Sequence, residues 1–196
     1  EYPVTRVLPS VNASYSFTDQ SLIRVAYGET LNRPEFRELA PFGFYDFNFN
    51  FTNKGNPNLK TAKIQNVDLR WEYYPSKQEL FSVGVFYKNF TDPIETVFNP
   101  GSGSLGAKSF SYQNAQNAVS YGAEVEIKKN FANLGLGPIF NNLGMMLNAT
   151  LIKSSIELGD AISAGQSNER PLQGQAPYIV NAGLFYSNDE TGLQIN

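Results

Sequence analysis

Val67-Asp68-Leu69-Arg70-Trp71-Glu72-Tyr73, followed after Pro75-Ser76-Lys77 by Phe81-Ser82-Val83-Gly84-Val85-Phe86-Tyr87, is the stretch that decides the fold. In the first run Val67, Leu69, Trp71 and Tyr73 share one parity, and Asp68, Arg70 and Glu72 share the other. In the second, Phe81, Val83, Val85 and Tyr87 stand against Ser82, Gly84 and Lys88. Successive side chains of a β-strand point to opposite faces, so each run reads as a strand with one apolar and one polar face. The odd-length connector keeps both apolar rows on the same side, whereas a slip of one residue would flip a whole row.

The same alternation extends outward in both directions. Upstream lie Val11, Ala13, Tyr15, Phe17 and then Ile23, Val25, Tyr27. Downstream lie Val119, Tyr121, Ala123, Val125, Ile127; Leu143, Met145, Leu147, Ala149, Leu151; Tyr178, Val180, Ala182, Leu184, Tyr186; and Leu193, Ile195. Pairing Phe17 with Ile23 leaves Asp19 to Ser21 as a short hairpin loop, and the residues Asn188 to Thr191 let Tyr186 face Leu193. About eight strands result, with long connectors at 32–62, 92–118 and 154–175 alternating with short ones. Asn130 to Asn142 is longer than that rhythm predicts for a short turn.

None of the residues in the apolar rows is charged. A lipid-facing Arg or Lys at mid-bilayer would cost about 2–4 kcal/mol, although the inner rows of a soluble sandwich are charge-free too. Two features separate these readings. Aromatic residues end the rows beside the short turns (Tyr15, Phe17, Trp71, Tyr73, Phe81, Tyr186), as at a membrane interface. The opposite rows are rich in Gly, Ser, Asn and Thr, which suits a wetted barrel wall better than a Lys/Glu-covered sandwich surface. The fold class is therefore all-β: about eight antiparallel strands forming a segment of a transmembrane β-barrel.

Composition narrows the chemistry. Charged residues make up 17% of the 196 and aromatics 14%, with 15 Phe and 11 Tyr, a balance unlike that of ordinary soluble domains. Cysteine and histidine are both absent, which removes thiolate nucleophiles, zinc-thiolate sites and every Ser-His or Cys-His arrangement. The net charge of −3 argues against a nucleic-acid surface. No stretch approaches the roughly 20 apolar residues a spanning helix needs. The chain opens at Glu1 without Met and stops at Asn196 within an apparent strand, so it reads as a piece of a longer polypeptide.

Four constellations are candidates for chemistry. Gly101-Ser102-Gly103-Ser104-Leu105-Gly106 matches the dinucleotide fingerprint by letter, but it sits in a loop that no helix follows. Asp46-Phe47-Asn48-Phe49-Asn50 begins like a calcium loop, yet Phe51 stands where the loop's Gly belongs and Pro57 where its bidentate Glu belongs. Glu124 and Glu126 share a strand face with Lys128, which would keep both ionised and so works against an acid-base pair. Asp68, Arg70 and Glu72 read as an exposed charge ladder on the wet face. The ligand-contact candidates are Arg37, Tyr45, Phe47 and Phe49 of the first long connector. Phe47, Phe49 and Phe51 are expected on one side of a strand rising above the membrane, as an aromatic platform at the barrel mouth.

A family resemblance rests on several stretches. They are Leu31-Asn32-Arg33-Pro34-Glu35-Phe36-Arg37-Glu38-Leu39-Ala40-Pro41-Phe42, Gly55-Asn56-Pro57-Asn58-Leu59, Arg70-Trp71-Glu72-Tyr73-Tyr74-Pro75, Phe86-Tyr87-Lys88-Asn89-Phe90 with Asp92-Pro93-Ile94-Glu95, and Ser120-Tyr121-Gly122-Ala123-Glu124-Val125-Glu126. In this order and spacing the chain resembles the TonB-dependent outer-membrane receptors of the Bacteroidetes type, over nearly its whole length. The resemblance implies a 22-stranded barrel around an N-terminal plug, of which 1–196 would be a partial barrel domain lacking the plug and the terminal strands. It further implies short turns facing the periplasm, long loops facing outside, and residence in the outer membrane of a Gram-negative bacterium.

The expected function is TonB-dependent uptake of a scarce nutrient such as a siderophore, cobalamin, glycan or peptide, without covalent chemistry and without a cofactor or metal. The partners would be outer-membrane lipid, the TonB complex through the plug region, and the extracellular nutrient, with no nucleic acid. Two other classes stay open at this point: a secreted carbohydrate-binding or adhesin-like β-sandwich, and an outer-membrane hydrolase using lumen-wall carboxylates.

Overall fold

The computed structural model describes residues 5–48, 50–98, 108–135, 137–159, 167–188 and 192–195. In chain order the elements are β1 (Ser10–Thr18), β2 (Ser21–Asn32), α1 (Phe36–Leu39), β3 (Gly43–Asp46), β4 (Phe51–Lys54), β5 (Ala62–Tyr73), β6 (Leu80–Thr91), β7 (Ile94–Phe98), β8 (Lys108–Asn114), β9 (Asn117–Asn130), β10 (Leu143–Glu157), β11 (Glu169–Arg170), β12 (Tyr178–Asn188) and β13 (Leu193–Ile195). The eight strands read from the alternation are β1, β2, β5, β6, β9, β10, β12 and β13. They form one antiparallel sheet in that order, with β11 added beside the end of β10.

Register carries the apolar row unbroken across the sheet. Val25 lies opposite Leu69, Leu69 opposite Val85, Val85 opposite Ala123, Ala123 opposite Leu151, and Leu151 opposite Tyr178. Nothing is packed over this face: Val83 is 37% and Val180 61% exposed, which removes a sandwich among the described residues. Two pairings differ from expectation by two residues while keeping the parity. Tyr15, not Phe17, faces Ile23, because a bulge between Ser16 and Thr18 tightens the turn so that Thr18 pairs with Ser21. Tyr186 faces Ile195 in place of Leu193. The overlong connector from Asn130 to Asn142 holds two short 3-10 turns, Ala132–Leu134 and Pro138–Asn142.

The strands are longer than a bilayer crossing requires. A tilted transmembrane strand needs about 9–11 residues, whereas β9 has 14 and β10 has 15. The surplus lies at the long-connector end, where the outward row turns polar. There Glu29 accepts hydrogen bonds from Tyr27 and Gln65 and pairs with Lys63 at 2.8 Å. Immediately below, Tyr27, Val67, Tyr87 and Tyr121 occupy one cross-strand row. The apolar band thus has a tyrosine-rich border at this end as well as the aromatic border beside the short turns.

The polar face is built differently. Glu72 is buried (5% exposed), which corrects the expectation of an exposed ladder with Asp68 and Arg70. Its carboxylate accepts from Arg24 Nε at 3.1 Å and from the Tyr74 hydroxyl at 2.7 Å, and Arg70 Nε lies 3.1 Å away. Arg70 also reaches across β6 to Glu126, over the space that Gly84 leaves open. Elsewhere on this face phenyl rings cover glycines: Phe86 lies over Gly122 and Phe185 over Gly144, their register partners. The apolar core sits at the long-connector end, where Val97, Ala115, Ala118, Ile156 and Leu158 are buried together, with Phe90 and Leu172 packed against them.

The first two long connectors hold regular strands among their described residues. They contribute a second sheet in the order β3-β4-β8-β7, which joins a hairpin of connector 32–62 to a hairpin of connector 92–118. The joint is the parallel pair β4·β8.

Candidate functional site

The first connector builds its aromatic surface as a hairpin. Gly43 to Asp46 pairs antiparallel with Phe51 to Lys54. The chain reverses between them: the Asp46 carboxylate accepts from the Asn48 backbone N–H at 2.9 Å, and Asn50 adopts a left-handed φ of 56° that Asn tolerates. Phe47 and Phe51 are therefore on opposite sides of a turn, which corrects the expected single strand with Phe47, Phe49 and Phe51 on one side. The alternation Phe47-Asn48-Phe49-Asn50-Phe51 imitates a strand, but the two Asn residues favour reversal.

Tyr45 and Phe47 stand together at the hairpin end. Their rings meet edge to face at 4.8 Å, Phe47 is 87% exposed, and the Tyr45 hydroxyl hydrogen-bonds the Asn50 side chain. Arg37 is placed elsewhere. From α1 its guanidinium lies 4.9 Å over the ring of Phe44, which precedes Tyr45 and so faces the other side of the strand. Phe42 extends that cluster at 4.8 Å from Phe44. Phe49 lies outside the described residues, as does the glycine run 101–106.

Two stretches that carry the family resemblance prove to be one contact. The helix α1 starts with the Glu35 N–H donating to the Glu38 carboxylate at 2.9 Å, and Asn56 N–H donates to the Glu38 carbonyl at 2.6 Å. A Cβ on Gly55 would fall 2.2 Å from the Ala40 carbonyl oxygen and 2.9 Å from that of Arg37, so only glycine allows this approach. Gly55-Asn56 is the seat on which α1, and with it Arg37, rests.

The second connector is bound to the first by side chains that the sequence reading did not single out. Asn114 donates to the carbonyls of Lys60 and Asp92 at 3.0 and 2.7 Å and accepts from Lys60 N–H at 2.7 Å. Asn56 donates to the Tyr112 carbonyl at 3.0 Å. Above the joint, Phe110 makes edge contacts with Phe51 at 5.0 Å and Phe98 at 5.6 Å. The third connector reaches the second through Arg170 and the buried Glu95, 2.7 Å apart. Their separation in sequence hid these pairs, since nothing local marks an Asn or a Glu for a partner so remote.

Below the connectors, a cleft of about 410 Å³ opens on the polar face between Asp68, Phe86, Lys88, Ser120, Glu124 and Gln175. Gln175 of the third connector closes one side of it by donating to Ser120 at 3.1 Å. Glu124 and Glu126 do not act as a pair. Glu126 is engaged by Arg70, and Lys128, their expected neighbour in charge, lies 5.5 Å over the Phe185 ring. Among the described residues no cluster of three acidic, His or Cys side chains is placed to hold a metal.

Solved structures share this fold. The siderophore receptor PirA of Pseudomonas aeruginosa matches with a TM-score of 0.64 at 16% identity, over 93% of this chain and 31% of that one. An enterobactin complex of the ferric enterobactin receptor PfeA from the same organism gives 0.62 at 19% identity, over 93% and 26%. The hemophore receptor HasR of Serratia marcescens, solved with its hemophore HasA and heme, gives 0.62 at 12% identity, over 95% and 30%. The chain thus spans about a third or less of each of these proteins. No curated protein matches its sequence. The family description "TonB dependent receptor-like, beta-barrel" covers residues 2–194, and the chain belongs to that family.

Proposed function

We propose that this chain is part of the barrel of an outer-membrane receptor, of the Bacteroidetes type, that takes up a scarce nutrient in a TonB-dependent manner. The plug and the remaining strands are supplied by the rest of the polypeptide. The observation that carries this reading is the uninterrupted exposed apolar face, bordered by aromatic residues at both ends, with all three long connectors gathered at one of them. Such a face suits lipid, and such a gathering suits capture of a ligand from outside. The neighbours named for siderophore, enterobactin and heme support nutrient uptake as the class of activity.

Within this reading Tyr45 and Phe47 supply a ligand-facing aromatic surface, Phe49 is a further proposed ligand contact, and Arg37 contributes a cation from beside Phe44. Capture ends in movement of the ligand past the plug; no bond in it is made or broken. The test is accumulation of four labelled probes, a ferric catecholate, cobalamin, an oligosaccharide and a peptide, by cells with and without the full-length receptor. One probe is expected to accumulate only with the receptor and only when TonB is present. Replacing Tyr45 and Phe47 together by Ala should weaken its binding by roughly tenfold or more, as for aromatic hot spots. Equal accumulation of all four probes with and without the receptor would sink the proposal.

A further inference from the structure

The aromatic hairpin β3-β4 does not hold itself in place. Among the described residues its only strand pairing outside the hairpin is through β4, whose partner β8 belongs to a connector nearly sixty residues away, over the four pairs Phe51/Lys108, Thr52/Ser109, Asn53/Phe110 and Lys54/Ser111. A four-residue parallel pair is marginal alone, since parallel pairing is the weaker kind and short strands bury little. What lies at its base is Asn114, whose side chain makes three hydrogen bonds, to the Lys60 N–H and carbonyl on the first connector and to the Asp92 carbonyl at the root of the second. The second connector is in turn fixed to the polar wall by Val97, fully buried among Ala118, Ile156 and Leu158, and to the third connector by Glu95 and Arg170.

We propose that Asn114 is the positioning residue of the candidate ligand surface: it locks the hairpin carrying Tyr45 and Phe47 to the second connector, so that the two move as one body. This rests on the proposed ligand role of that hairpin only for its functional consequence. The coupling itself is read without ligand. Asn114 touches neither Tyr45 nor Phe47; it acts by tying the end of β8, which pairs with β4, to Lys60 and Asp92.

Hydrogen exchange on the full-length receptor in detergent tests it. In the unaltered protein the amides of β4 and β8 are protected together. Asn114→Ala removes three hydrogen bonds and is expected to speed exchange in both β4 and β8 by roughly tenfold or more while β5 and β6 stay protected. Asn114→Asp, which keeps the acceptor but sets a carboxylate oxygen against the carbonyls of Lys60 and Asp92, should speed it at least as much. Phe47→Ala should leave this exchange unchanged. A disulfide between Thr52→Cys and Ser109→Cys, register partners in the joint, should restore protection in the Asn114→Ala background, which a general folding defect would not allow. Unaltered protection of β4 in Asn114→Ala, or β4 and β8 responding separately, would overturn the assignment. Loss of Tyr45 and Phe47 without effect on uptake would overturn the ligand reading instead and leave the coupling standing.

Discussion

Single side chains decide how this sheet meets its surroundings at the short-connector end. Glu79 lies in the turn between β5 and β6 with its side chain 4% exposed and 2.6 Å from Lys129 Nζ of β9. Hydrogen bonding by Lys129 holds its carboxyl below the usual carboxylate range; burial opposes this and Ser76 adds to it. A carboxyl whose folded value is depressed stabilises the fold fully above its unfolded value, near 4.3. That contribution disappears as pH falls through the folded value, because the unfolded chain takes up the proton first. The thermal midpoint of the barrel should therefore be lower in Glu79→Gln than in the unaltered protein at neutral pH, and the gap should close in acid below the carboxylate range. Midpoints that stay equally far apart in acid would show that Glu79 acts there by shape and not by charge.

At the scale of elements, what was legible in the sequence was whatever a period of two can encode. The eight strands read from the alternation follow from rows such as Leu143-Met145-Leu147, because one exposed apolar face forces strict alternation. Registers were legible only to parity, since the bulge after Ser16 shifts Tyr15 against Ile23 without changing which face it occupies. The second sheet left no such trace. Its strands β3 and β4 span four residues each, and its β4·β8 joint depends on contacts between connectors, not on local pattern. Of the candidate ligand residues, Tyr45 and Phe47 fall together and Arg37 falls behind Phe44, a division set by the alternation of Phe44 and Tyr45 along β3. The seat of α1 is where this level is most open to test. In Gly55→Ala the added methyl meets backbone atoms of Ala40 and Arg37 that no rotamer change can move aside. A destabilisation of about 1–3 kcal/mol, typical of overpacking, is expected to be confined to α1 and the chain after β4. Faster exchange of the Leu39 and Asn56 amides with β5 unaffected would confirm it, and an unaltered Asn56 amide would refute it.

For the molecule as a whole, the governing fact is that the large sheet has two ends. β1 pairs only with β2, and β13 only with β12, among the described residues. Every residue of β1 is exposed. An open strand edge presents a row of unpaired N–H and C=O groups, which lipid cannot satisfy and which in water recruits other chains. The outward apolar face adds a second source of association, for Val11, Tyr15, Val180 and Leu184 are each more than half exposed. Both are removed together only when further strands close the sheet and hydrocarbon covers its outside. The buried cluster around Val97 and Ile156 is confined to the long-connector end and too small to offset them. The chain produced alone is therefore expected to form large aggregates in detergent-free buffer, by size-exclusion chromatography with light scattering, and to gain β-structure without becoming a discrete monomer when detergent is added. A monodisperse, folded monomer in plain buffer would mean that the apolar face has found a protein partner within the chain, and the barrel-wall reading would fall with it.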